Sequence, residues 1–119
     1  MLEIKKLSGA IGAEISGIDL NQDLAESQKE VLRKLLNEHE VIFFRNQEIS
    51  PLRQKLLALT FGPLQTHPAY ETLEGFPEIT ILESTKDAPS KIEAWHSDMT
   101  FRTHPPMATV LKSVIVPEN

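Results

Sequence analysis

The chain has 119 residues, enough for one ordinary domain with its own core. Its 40% apolar and 24% charged residues are the usual balance of a soluble globular protein. A net charge of −5 with scattered Lys and Arg argues against nucleic-acid binding, and the lack of cysteine excludes disulfides, thiolate zinc sites and iron–sulfur clusters.

Membrane and export signals are also missing from the sequence. No apolar run approaches the roughly 18 residues of a membrane span, and residues 1–8 lack the apolar stretch of a signal peptide. We therefore expect a cytoplasmic protein with no membrane partner. The sequence leaves a homo-oligomer open.

The first elements predicted are two short strands and a helix. Apolar alternation around residues 3–7 and 13–16 favours strands joined by a turn. Ser27 and Glu30 have the spacing of a capping box, so a helix is predicted to begin there and to end near Glu38. Its core face is predicted from apolar residues at helical spacing: Val31, Leu32, Leu35 and Leu36.

A strand and a second helix follow. Residues 41–44 form a short apolar run typical of a strand buried on both faces. Ser50 is a good N-cap and Pro51 suits the first helical position, while Gly62 and Pro63 end the helix. The core stripe of this helix is predicted to comprise Leu52, Leu56, Leu59 and Phe61.

The second half has no helical period. Residues 78–84 and 108–116 are predicted strands, and residues 95–101 a short extended segment. Helices followed by strands indicate an α+β fold, or a β-sandwich or barrel with added helices. Because a strand lies so near the end, we expect the sheet to continue past Asn119.

His96 and Asp98 are the sharpest candidates for chemistry. On a strand, residues i and i+2 point to the same face, so an imidazole nitrogen and a carboxylate oxygen would lie side by side. A facial triad of two histidines and one carboxylate holds non-haem Fe(II) in this way and leaves positions open. Spacing alone does not choose iron over zinc or manganese, and an isolated pair is more often a surface pair.

Four motifs that occur in a fixed order support the interpretation of His96 and Asp98 as metal ligands. They are residues 11–20 (IGAEISGIDL), 41–47 (VIFFRNQ), 67–70 (HPAY) and 95–101 (WHSDMTF), the last followed by Pro105 and Pro106. In this order and spacing they resemble the taurine dioxygenase-like family of Fe(II)- and 2-oxoglutarate-dependent dioxygenases, the TauD/TfdA type. The resemblance covers nearly the whole chain.

The resemblance implies a double-stranded β-helix (jelly-roll) with N-terminal flanking helices, incomplete in this chain, so that residues 1–119 would be the N-terminal portion of a single dioxygenase domain. It implies that His96 and Asp98 are iron ligands, that His67 and Tyr70 contact the acidic head or amine of the substrate, and that Met99 lies against the substrate. The implied reaction uses 2-oxoglutarate and O2 to hydroxylate a small sulfonate or related acid, with sulfite and an aldehyde as the taurine products.

One substrate position departs from the family. The asparagine that helps to hold the taurine amine falls at Ile92, which can neither donate nor accept a hydrogen bond. A less polar acid is thus as good a candidate as taurine. The third iron ligand and the 2-oxoglutarate anchors lie downstream in the family, so we expect this chain alone to be inactive.

Two other functions fit the same sequence. The chain could be a truncated, non-catalytic fragment of such an enzyme, or a jelly-roll module that binds a small acid without metal. Several residues also have plain structural interpretations: packing of His67 on Tyr70, a core position for Trp95, and an ion pair for Arg45.

Overall fold

The computed structural model describes residues 1–92 and 94–118. In chain order its elements are β1 (Glu3–Lys6), β2 (Ala13–Ser16), α1 (Glu26–His39), β3 (Ile42–Phe43), α2 (Pro51–Leu59), β4 (Thr72–Leu73) and β5 (Phe76–Thr80). No helix in the described ranges is long and apolar enough to cross a membrane.

The first three strands form one sheet in the order β1-β2-β3. β1 runs antiparallel to β2, with Lys6 opposite Ala13. β3 runs parallel to β2, with Ala13 opposite Ile42, and α1 makes the crossover between them. The two strands predicted at the start of the chain are confirmed.

The core lies where α1 and α2 meet this sheet. Its members are buried and apolar: Ala13, Ile15, Ile18, Leu20, Leu32, Leu35, Ile49 and Leu57. Gln47 joins two parts of it, because its Nε2 donates to the Ile18 carbonyl at 3.0 Å and its Oε1 accepts from the Leu20 amide at 2.9 Å. One side-chain amide thus satisfies a carbonyl and an amide of the loop between β2 and α1.

The start of α1 differs from the prediction. The N-cap is Ala25, not Ser27, and its amide donates to Gln28 Oε1 at 2.9 Å. Glutamine at this third helical position satisfies one free amide, so the helix begins two residues earlier. Of the predicted stripe, Leu32 and Leu35 are buried, whereas Val31 is exposed.

The cap of α2 is confirmed, but its predicted core stripe is wrong for its three leucines and right only for Phe61, which is partly buried against the core. Ser50 Oγ accepts from the Arg53 amide at 3.2 Å, and Pro51 opens the helix. Leu57 is the buried leucine, and the leucines of the predicted stripe are exposed: Leu52, Leu56 and Leu59. The face of α2 that packs on the core is therefore the one that carries Leu57, and the face with three leucines is exposed.

β3 is shorter and more open than predicted. It covers only Ile42–Phe43, and Phe43 is exposed. In the order β1-β2-β3 it is an edge strand with a partner on one side, so it cannot be buried in the manner of a central strand. Arg45, just beyond it, forms the predicted ion pair with Glu14 at 3.1 Å.

The strands of the second half lie earlier in the chain than predicted. β5 ends at Thr80 and pairs with β4, while residues 81–84, 95–101 and 108–116 are not strands. Apolar alternation there lacks a neighbouring strand to accept its backbone hydrogen bonds in the described structure. Val110 packs on the core, but Leu111 and Val114 are exposed.

The β4–β5 hairpin packs on α2. An ion pair between Lys55 Nζ and Glu78 Oε1, 3.3 Å apart, joins the helix to β5. Hydrogen bonds hold the loop between α2 and β4, residues 63–71, beside Arg102 and His104. The described residues are an α+β arrangement, and the full jelly-roll stays a prediction.

Candidate metal centre

His96 and Asp98 lie side by side, although not on a strand. His96 Nε2 is 3.1 Å from Asp98 Oδ1, and both side chains are more than half exposed. Residues 98–101 form a turn, so the predicted extended segment is wrong. The turn, rather than the alternation of a strand, brings the two groups together.

The backbone fixes which nitrogen of His96 is free. Its Nδ1 lies 2.8 Å from the Ala94 carbonyl oxygen, which can only accept, so Nδ1 carries the proton. That hydrogen bond and the Asp98 carboxylate raise the pKa of His96. In the neutral ring, the Nε2 lone pair faces the carboxylate oxygen, the arrangement found in metal-binding histidines.

The spacing of these two atoms suits a shared cation. Two lone pairs that face each other repel unless a proton or a metal ion lies between them. The observed 3.1 Å is the distance of a direct ion pair between a protonated Nε2 and the carboxylate. The same two atoms would be placed to hold one metal ion between them.

A third protein ligand is missing from the described part of the chain. Among residues 1–92 and 94–118, no group of three or more His, Cys, Asp or Glu side chains could hold a metal ion. The residues present thus fit two of the three ligands of a facial triad.

The candidate site residues share one open cavity of about 890 Å³. It lies between α2, β5, the 63–71 loop and the turn after Asp98. The structure brings all six residues predicted for the site to its lining: His67, Tyr70, Ile92, His96, Asp98 and Met99. Apolar side chains form much of the remaining wall, among them Leu73, Ile79 and Leu82.

His67 presents the opposite tautomer from His96. Its Nδ1 accepts a hydrogen bond from the Ala69 amide at 3.1 Å, so a neutral ring carries its proton on Nε2. The ring lies 4.6 Å from the Tyr70 ring, between centroids. The predicted packing of His67 on Tyr70 is confirmed, and the free Nε2–H and the Tyr70 hydroxyl can both donate to an anion.

Met99 has an unusual backbone conformation beside the pair. Its φ is +57°, in the left-handed region that a side chain disfavours. Its carbonyl accepts from the Arg102 amide at 3.2 Å, which closes the turn. Met99 directly follows Asp98, within the turn of residues 98–101.

Trp95 does not occupy the core. Its side chain is fully exposed, so the structural prediction for it was wrong. An indole with no packing partner in this segment contributes nothing to core stability. Ile92 is also more than half exposed, at the rim of the cavity.

Sequence reasoning missed Gln65 and Arg102. Gln65 Nε2 donates to the His104 carbonyl at 2.9 Å, and Arg102 Nη2 donates to the Thr66 carbonyl at 2.6 Å. Both tie the 63–71 loop to the segment that follows Asp98. No spacing or motif links two residues so far apart in the chain, so no signal in one sequence could reveal them.

The family model "Taurine catabolism dioxygenase TauD, TfdA family" matches residues 3–119. The chain belongs to this family. An alkylsulfatase of Acinetobacter baylyi is 38% identical to this TauD/TfdA member over 98% of the chain, which corresponds to 37% of that protein. An alpha-ketoglutarate-dependent sulfate ester dioxygenase of Pseudomonas putida is 32% identical, over 98% of the chain and 38% of its own length.

A solved structure agrees with the family. A taurine dioxygenase from Burkholderia xenovorans superposes with a TM-score of 0.59 at 34% identity, over 64% of this chain and 28% of that one. This TauD/TfdA member therefore spans well under half the length of the relatives it matches.

Proposed function

We propose that this chain carries part of the active site of an Fe(II)- and 2-oxoglutarate-dependent dioxygenase that acts on an alkyl sulfate or a related apolar sulfonate. One observation carries the proposal: His96 and Asp98 converge at the wall of a cavity that His67 and Tyr70 also line. We further propose that residues 1–119 belong to a single dioxygenase domain with a jelly-roll core.

The metal would be held here by His96 Nε2 and an Asp98 oxygen. Bound Fe(II) would supply the activation of O2 and the coordination of the 2-oxo acid. The Ala94 carbonyl supports this role, because it holds the proton on Nδ1 and leaves Nε2 free. Asp98 adds a negative charge that offsets part of the charge of the ion.

His67 and Tyr70 would hold the anionic head of the substrate. The Nε2–H of His67 and the hydroxyl of Tyr70 are donors on neighbouring rings, and a sulfate or sulfonate offers three acceptor oxygens. Such charge-assisted hydrogen bonds are the stronger kind. Both donors line the same cavity as the metal pair, so the head group would bind in that cavity.

Several features favour an apolar tail over the amine of taurine. Ile92 and Met99 line the cavity and bring no hydrogen-bonding group to an ammonium. The relatives named as an alkylsulfatase and a sulfate ester dioxygenase are similar over 98% of the chain. An alkyl chain would gain from burial in such a wall, by about 0.8 kcal/mol per CH2.

The proposed reaction balances. One atom of O2 enters succinate as 2-oxoglutarate loses CO2, and the other hydroxylates the substrate carbon that bears the sulfate oxygen. The hydroxylated product then breaks its C–O bond, the hydroxyl proton leaves with sulfate, and an aldehyde remains. For a sulfonate, the same hydroxylation breaks the C–S bond and releases sulfite.

Calorimetric titration under argon tests this proposal. Hexyl sulfate, hexanesulfonate and taurine are titrated into the protein supplied with Fe(II) and 2-oxoglutarate. We expect the hexyl compounds to bind at least tenfold more tightly than taurine, and Ile92→Asn to reduce that preference. Tighter binding of taurine would refute the substrate class, and binding unaffected by a chelator or by His96→Ala would favour a metal-independent binding module.

A further inference from the structure

Two side chains tie together the walls of the cavity. Gln65, on the 63–71 loop, donates to the His104 carbonyl at 2.9 Å. Arg102, on the segment of residues 94–104, donates back to the Thr66 carbonyl at 2.6 Å. Each side chain thus binds the backbone of the other's segment, and we name this reciprocal pair the clasp.

The clasp lies next to the residues proposed to bind substrate. His67 directly follows Thr66, and its ring meets the Phe101 ring nearly at right angles, with centroids 6.3 Å apart. The Arg102 guanidinium lies 5.9 Å from the centroid of that same Phe101 ring. The Arg102 amide also closes the turn on Met99. Arg102 therefore touches both the His67 side and the metal-pair side of the cavity.

Each side chain of the clasp also leaves one polar atom unmatched. Gln65 Oε1 and Arg102 Nε are both buried and have no hydrogen-bond partner among the described residues. A buried acceptor and donor left unmatched oppose folding. Departures of this kind concentrate where a site needs a particular geometry.

We propose that Gln65 and Arg102 are positioning residues, which hold the His67 ring in register with the His96–Asp98 pair without themselves binding substrate. This inference rests on the proposed function for its purpose, but not for its first test. The substrate is the sulfated or sulfonated acid of the proposed function. The clasp would set the distance between the side chains that donate to its anionic head and the two metal ligands.

The first test needs neither metal nor substrate. NMR of the protein measures the nuclear Overhauser contact between the His67 and Phe101 rings in Gln65→Met and Arg102→Met. Gln65→Met keeps side-chain length and removes both the donor and the unmatched acceptor. Arg102→Met shortens the side chain and removes the guanidinium donors. Arg45→Met is the matched control, since it breaks an ion pair with Glu14 elsewhere.

We expect each clasp variant to weaken the His67–Phe101 contact severalfold while the methyl signals of Ile15 and Leu32 keep their native shifts. Arg45→Met should leave the contact unchanged. The proposal is overturned if the contact survives in both clasp variants, or if it is lost only together with the core signals or equally in Arg45→Met.

A second measurement separates this inference from the proposed function. In protein supplied with Fe(II) and 2-oxoglutarate, Arg102→Met should weaken hexyl sulfate binding at least roughly tenfold, with Fe(II) affinity changed much less. Arg102→Lys, which keeps one donor for Thr66, should restore most of the binding. If wild type binds neither Fe(II) nor hexyl sulfate, the proposed function fails, and the ring contact still decides the clasp.

Discussion

Replacement of Gln47 by methionine tests how the first half of the fold is joined. The two side chains have nearly the same size, but methionine cannot donate to the Ile18 carbonyl or accept from the Leu20 amide. Both bonds have ordinary lengths, 3.0 and 2.9 Å, and both partner residues, Ile18 and Leu20, are buried. The change leaves a donor and an acceptor unpaired with little change in packing.

The expected loss follows from those two groups. An unsatisfied buried polar group costs about 1–3 kcal/mol. The Gln47 side chain is only half-buried, so water compensates in part, and we expect a loss of about 2–3 kcal/mol in the free energy of unfolding. Urea denaturation followed by circular dichroism measures it. Gln22→Met, at an exposed position, is the control. A loss below about 0.5 kcal/mol, equal to the control, would refute the reasoning.

A glutamate at position 47 adds a pH signature. An ionised carboxylate can accept from the Leu20 amide but cannot donate to the Ile18 carbonyl, whereas the protonated acid can do both. Folding therefore raises the pKa of the introduced carboxyl. Its contribution is fully present below the unfolded pKa, about 4.3, and is lost as the pH rises through the folded pKa. Gln47→Glu should thus be less destabilised at pH 4 than at pH 7.

Three further predictions concern the core, the surface and the turn. Leu32 is fully buried, so Leu32→Ala should cost about 2–5 kcal/mol in urea denaturation. A hydrogen bond and the charge from Arg53 lower the pKa of Asp23 in the folded protein. The stability that this pair contributes is present above the pKa of Asp23 in the unfolded chain, and is lost as the pH falls through its pKa in the folded protein. The stability difference between wild type and Asp23→Asn, measured by urea denaturation, should therefore shrink in acid. Met99 has a φ of +57°, so Met99→Gly should keep Fe(II) affinity, while Met99→Val, strained in that conformation, should lose it; equal affinities would contradict the role of the turn.

Local signals in the sequence predicted the first half well. Ser50 and Pro51 mark the start of α2 because capping depends on a few adjacent atoms. β1 and β2 lie where apolar alternation predicted two short strands joined by a turn. The buried side of α2 was not predictable. The side of the helix with the most leucines is exposed, and the side that carries Leu57 packs on the core.

The second half shows the limit of the same reasoning. Residues 108–116 have the alternation of a strand, yet a strand requires a hydrogen-bonded partner and alternation does not supply one. The nearness of His96 to Asp98 was expected from strand geometry but arises from a turn with Met99 in a left-handed conformation. The Gln65 and Arg102 contacts depend on tertiary structure alone.

The most direct test of the central claim is an anaerobic titration of the protein with Fe(II), with and without 2-oxoglutarate. The same titration is made on His96→Ala, Asp98→Ala and, as a control, His104→Ala, whose histidine does not line the cavity. The account predicts Fe(II) binding that both ligand variants lose and that the control keeps, whether or not 2-oxoglutarate is present. Fe(II) binding that survives in His96→Ala and Asp98→Ala, or none in wild type, would contradict it.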